Sequence, residues 1–123
     1  MLAYRPMDRP LALLLTVALA SATAVAAGNP AADKFAVTLE PGKIHEVCTP
    51  IADGEKRRYH WKADAPVDFN IHYHQGPEVF YPVKRDAMRG DGGTFAARSA
   101  QEYCWMWTAR TATTRIEGSV QPK

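Results

Sequence analysis

From Val67 to His74 apolar and polar side chains alternate without a break: Val67, Phe69, Ile71 and Tyr73 take the odd positions, Asp68, Asn70, His72 and His74 the even ones. A period of two is the spacing of an extended chain, whose successive side chains leave opposite faces. The segment therefore predicts a half-buried antiparallel strand. The same alternation recurs at Phe35 to Leu39, at Ile44 to Ile51 and at Arg57 to Lys62, where Tyr59 and Trp61 share one face and Arg58, His60 and Lys62 the other. A turn at Gln75 and Gly76 leads into Glu78 to Val83, and a polar, glycine-containing loop from Lys84 to Gly93 leads to a short segment at Thr94 to Ala97. Glu102 to Thr108 and Thr113 to Val120 close the series. Turn residues separate the runs at Pro41 and Gly42, at Asp53 and Gly54, and at Ala63 to Pro66. No convincing amphipathic helix interrupts them. About 7–8 short strands spaced in this way predict an all-β domain over residues 35–121, a single antiparallel β-sandwich.

The first 27 residues stand apart from that domain. Arg5 and Arg9 precede an apolar run from Leu11 to about Ala20, and small residues follow, which is the plan of a secretory signal peptide over residues 1–27. Cleavage after Ala26 places Ala24 at the −3 position; cleavage after Ala27 places Val25 there and leaves a small, polar, flexible leader at 28–34. The apolar run is shorter than the roughly 20 residues a spanning helix needs, and no later segment is longer or more apolar. No integral membrane segment is expected once the signal is removed, and the expected location is periplasmic or secreted.

Beyond the signal the chain carries 13 basic and 12 acidic side chains, a near balance. Its one basic cluster, Lys56 to Arg58, is flanked by Glu55 and Asp53, so no nucleic acid partner is expected. Two cysteines remain, Cys48 and Cys104, and an oxidising compartment favours joining them. Closing a loop of that length stabilises a fold by roughly 4 kcal/mol in the chain-entropy model. For so small a domain this is a large share of the net stability. No C-x-x-C motif accompanies them, so the expected bridge is a structural one.

The segment Glu102 to Val120, EYCWMWTARTATTRIEGSV, resembles the closing hairpin of GOLD-type domains, the lumenal β-sandwich of the emp24/gp25L/p24 cargo receptors. Leu39 to Gly42 and the pair Val47 and Cys48 are similar to the opening strands of that family, including the first of its two cysteines. The resemblance implies a β-sandwich used for protein or lipid interaction, in a small exported relative of bacterial type. Two departures limit it. Cys104 directly follows Tyr103, where the family's second cysteine comes three residues after the strand tyrosine. The coiled-coil segment, membrane helix and cytoplasmic tail of the cargo receptors are not expected here, so their trafficking role is not implied. An immunoglobulin-like sandwich is the alternative fold: Cys48, Trp61 and Cys104 fall in its order, although its tyrosine stands two residues before the second cysteine and not one.

Histidine is the one residue type that suggests chemistry. His72 and His74 share a strand face about 6.5 Å apart, within reach of one metal ion. If Arg57 to Lys62 and Val67 to His74 form a hairpin with polar faces together, His60 faces His72 in one register and Asn70, beside His72, in another, and His60, His72 and His74 make a candidate Zn²⁺ or Cu²⁺ site. The competing reading is a solvated polar face, with Arg58 and Lys62 beside His60 unfavourable to a cation. Copper-zinc superoxide dismutases need further histidines downstream, and none follows His74; blue-copper proteins need a histidine soon after the cysteine, and none follows Cys104. Ser99 and Ser119 lie in no nucleophile-elbow context, and Gly90 to Gly93 carries no phosphate-loop lysine. The expectation is a non-catalytic binding or interaction module with a protein or glycan partner and no cofactor. The alternative is a periplasmic protein that binds copper or zinc.

Overall fold

The structure is a computed structural model that describes residues 33–123. The expected signal peptide and leader lie outside the described residues, except for Asp33 and Lys34, which open the first strand. Six strands follow in order: β1 (Asp33–Leu39), β2 (Ile44–Ile51), β3 (Lys56–Gln75), β4 (Glu78–Ala96), β5 (Gln101–Ala109) and β6 (Thr114–Pro122). All belong to one antiparallel sheet in the order β1-β6-β3-β5-β2, with β4 on the other edge of β3. The all-β expectation holds, and Cys48 and Cys104 are joined.

The strand count differs from expectation because two pairs of runs are continuous. Ala63 to Pro66 reads as a turn but is a bulge: Lys62 pairs with Gly90 and Val67 with Met88, so four residues of β3 stand opposite Arg89 alone. There β3 changes partner on its other edge. Arg57 to Ala63 pairs with β6, whereas Val67 to His72 pairs with β5. Asp64 marks the crossing by accepting the Arg115 amide at 2.9 Å as β6 begins. The expected loop from Lys84 to Gly93 likewise runs as strand within β4. Its glycines suit a ladder there, since a Cβ at Gly90 or Gly92 would come within 3.1 Å of the Trp61 or Tyr59 carbonyl.

The long β3–β4 hairpin curls the sheet into a half-barrel with two facing flanks. One flank holds β1, β6 and the first half of β3; the other holds β2, β5 and the second half of β3. The inward residues anticipated from alternation meet between them: Tyr103, Trp105, Trp107, Phe69, Ile71 and Val67 are all buried. Rings touch from flank to flank, Phe35 against Trp107 at 4.6 Å and Tyr59 against Trp105 at 6.1 Å between centroids. Removing any one of these buried tryptophans would cost about 3–5 kcal/mol.

The disulfide lies outside this core. It joins directly paired residues of neighbouring strands, Cys48 of β2 and Cys104 of β5. An immunoglobulin-like framework needs a bridge between two sheets, packed on a tryptophan. Here Trp61 packs instead on Phe69 and Trp107, so that alternative does not describe the fold.

Candidate functional site

Outward positions of β2, β5 and β3 line up across the sheet. Cys48 pairs with Cys104, and Cys104 pairs on its other side with His72, so bridge and imidazole form one row. Glu46 and Asn70 both stand opposite Met106, one pleat away on either side of β5. The face is not simply wet. His72 is only 4 % exposed, and Asn70 is buried beside it.

The His72 ring is held from both ends. Its Nδ1 lies 2.7 Å from Asn70 Oδ1, an acceptor, so the Nδ1–H donates and the neutral ring keeps its lone pair on Nε2. Nε2 faces Glu46, with Oε1 3.9 Å away. Burial lowers the His72 pKa below its ordinary value; the Glu46 carboxylate opposes this and His74 adds to it. At neutral pH the ring is thus an uncharged base with one free nitrogen. Glu46 Oε1 also sits 3.0 Å from Cys48 Sγ, a van der Waals approach, since a bridged sulfur has no proton to donate. Ligating atoms of Glu46, His72 and Cys104 lie within 4.8 Å of one another.

Of the three histidines expected together, the structure joins two. The His74 ring meets the His72 ring edge-on at 5.2 Å, and Tyr81 flanks His72 at 5.7 Å. His60 is elsewhere. It pairs with Gly92 and Ser119, and its Nδ1 lies 3.2 Å from the Ser119 hydroxyl on the outer face of the other flank. The hairpin that would have brought it to His72 does not exist, because the two runs are halves of one strand. Twelve residues of extended chain, roughly 40 Å, separate the two positions along β3. Asn70 had a local signal, its place two residues before His72 on the same face. Glu46 had none, because its approach depends on β5 lying between β2 and β3.

A second feature lies at the end of the β3–β4 hairpin, where Gly76 turns the chain with φ 59°. Just beyond the turn Val79, Phe80 and Tyr81 are 37 %, 37 % and 50 % exposed. Phe80 stacks on Tyr73 at 5.2 Å and 16°. Behind them a cavity of about 540 Å³ is lined by Tyr73, Val83, Phe95, Arg98 and Tyr103 among others. The Tyr103 hydroxyl is fixed there by donating to the Ser99 carbonyl at 2.8 Å.

Fold and site together define a small disulfide-linked all-β domain with an outward histidine and an aromatic hairpin end. No family model matches the sequence, and no curated protein matches it. Among solved structures the chain is similar to the crystal structure of the Yersinia pseudotuberculosis-derived mitogen, with a TM-score of 0.51 at 13 % identity over 76 % of this chain and 87 % of that one. It is also similar to a de novo designed double-stranded β-helix, with a TM-score of 0.42 at 19 % identity over 74 % of this chain and 99 % of the design. The likeness to the mitogen is one of fold. Among the described residues no helix is long and apolar enough to cross a membrane.

Proposed function

We propose that the chain is a small exported binding module without catalytic activity, and that the end of the β3–β4 hairpin is its contact surface. The observation that carries this reading is the exposure of Val79, Phe80 and Tyr81 at the hairpin end, where Phe80 stacks on Tyr73, a wall of the cavity that Arg98 also lines, and Tyr81 flanks His72 on the opposite face. Large apolar side chains exposed together at one end of a domain cost solvation unless a partner covers them, and aromatic residues are enriched in recognition surfaces. Flat rings also stack on sugar faces, so the partner is a protein or a glycan. Export is supported by the expected signal peptide and by the disulfide. The resemblance of Glu102 to Val120 to GOLD-type domains agrees with a use in protein or lipid interaction.

The test compares the oxidised chain with a Phe80→Ala/Tyr81→Ala variant on a glycan array and in pull-downs from periplasmic extract. A ligand retained by the wild-type chain and lost by an equally stable variant supports the reading. Identical retention by both sinks it.

A second reading is favoured by one observation, the fixed Nδ1–H of His72 with its free Nε2 directed at Glu46. A hydrogen-bonded imidazole of this kind is how proteins orient a metal ligand. In this reading the oxidised chain holds Cu²⁺ or Zn²⁺ through His72 and His74, with Glu46 in the place expected for His60. Calorimetric titration with each ion, repeated on His72→Ala and His74→Ala, tests it. Stoichiometric binding lost in both variants is the result expected.

A further inference from the structure

With the bridge closed, the row across β2, β5 and β3 offers a cation two converging donors, His72 Nε2 and the Glu46 carboxylate. The third ligating atom within the same 4.8 Å is Cys104 Sγ, which in the disulfide is neutral and a poor ligand beside a thiolate. Opening that bridge changes the chemistry of the face. Two thiols would stand at directly paired positions, beside an imidazole paired to the second of them.

We propose that reduction of the Cys48–Cys104 bridge converts this face into a Zn²⁺ site whose ligands are Cys48 Sγ, Cys104 Sγ, His72 Nε2 and a Glu46 carboxylate oxygen. Four donors of sulfur, nitrogen and oxygen type match the tetrahedral preference of zinc, with Zn–S bonds of about 2.3 Å and Zn–N bonds of about 2.0 Å. The ring is already oriented, with Nδ1 held by Asn70 and Nε2 turned toward the Glu46 carboxylate. Glu102 also comes within 4.8 Å of the two sulfurs, but it does so without His72, so it is the comparison carboxylate.

The redox step balances with a dithiol as reductant. The Cys48–Cys104 bond takes two electrons and two protons to become two thiols, while the dithiol gives up the same two electrons and two protons and closes its own disulfide. Zinc then displaces both thiol protons to solvent. The complex of Zn²⁺ with two thiolates, one carboxylate and a neutral imidazole carries one net negative charge. Oxidation reverses the sequence and expels the ion, so the bridge acts as a gate.

This inference does not depend on the hairpin end as a contact surface. It differs from the copper or zinc reading of the oxidised chain because it requires thiols. The experiment uses Co²⁺ as a spectroscopic stand-in for zinc, added to the mature chain after phosphine reduction and anaerobic removal of the reductant. The expected result is one equivalent bound, with thiolate-to-cobalt charge-transfer bands and tetrahedral d–d bands, displaced by Zn²⁺, and no such bands in the oxidised chain. His72→Ala and Glu46→Gln should each weaken binding at least tenfold, Asn70→Ala by about 10–100-fold, and Glu102→Gln should leave it unchanged. If reduction loosens the sheet, the second readout is return of the native circular dichroism with one equivalent of Zn²⁺. The proposal is overturned if the reduced chain binds no cobalt, if His72→Ala and Glu46→Gln bind like wild type, or if the oxidised chain binds zinc as tightly. That last result would instead favour the oxidised-state metal reading.

Discussion

Gly118 sits at an inward position of β6, between Phe35 of β1 and Trp61 of β3. A Cβ built there would lie 2.4 Å from the His60 carbonyl, 2.7 Å from Trp61 Cβ and 2.9 Å from Trp61 Cα. Two of these three are backbone atoms of a central strand, so no side-chain rotation relieves the clash. Relief requires β6 to separate from β3, which loosens ladder bonds and the packing of Trp61. Overpacking of this kind costs about 1–3 kcal/mol, and the backbone location puts Gly118→Ala at the upper end. A useful comparison is Gly93→Ala in β4, where the added Cβ meets only the Tyr59 hydroxyl at 3.9 Å. That change should fall within about 0.5 kcal/mol of wild type, or stabilise slightly by restricting the unfolded chain. With about 4–8 °C per kcal/mol for a domain this small, Gly118→Ala should melt roughly 10–20 °C lower than Gly93→Ala. Thermal unfolding of the oxidised variants followed by circular dichroism measures the difference. Equal melting temperatures would refute the account of β6 packed against β3 through a missing side chain.

Other expectations follow from single contacts. Replacing both Cys48 and Cys104 by serine should cost about 4 kcal/mol in chemical denaturation, because the bridge spans a sequence separation of 56; wild-type protein under reductant should lose about as much. Burial pushes the Asp68 carboxyl up, but the Ala87 amide at 3.0 Å and the Arg110 guanidinium at 2.6 Å outweigh it and hold the carboxyl below its ordinary 3.8. A depressed folded value means stability that is present above that pH and lost as acid protonates the group. Asp68→Asn should therefore lower stability by about 1 kcal/mol at pH 7 and by progressively less below pH 4 in a melting series. His45 lies between Phe35 and Trp107 with its Nε2 buried and unpartnered, and burial lowers its pKa from the ordinary 6.5. The unfolded chain then binds the proton more readily, so stability falls as pH drops below 6.5, and His45→Phe should flatten that decline between about pH 7 and pH 5.

The faces of the strands were legible locally. Alternation alone assigns Tyr103, Trp105 and Trp107 to one side and Cys104 and Met106 to the other, and the structure buries that aromatic row. The pairing of Cys48 with Cys104 was legible too, because an exported chain with two cysteines has few other fates for them. The turns at Gly42, Gly54 and Gly76 carry the positive φ that their glycines suggest. Ala63 to Pro66 was misread because a proline among small residues marks a bulge as readily as a turn, and only the partners decide which. That one ambiguity separated His60 from His72, and the site moved with it. Side-chain direction is a property of a single extended strand and can be read from its residues. Which strand lies beside which is settled by burial of an aromatic core drawn from all parts of the chain. Hence the sequence determined that His72 and His74 face outward together, while only the tertiary structure brought Glu46 and the disulfide to them, through a β5 strand inserted between β2 and β3.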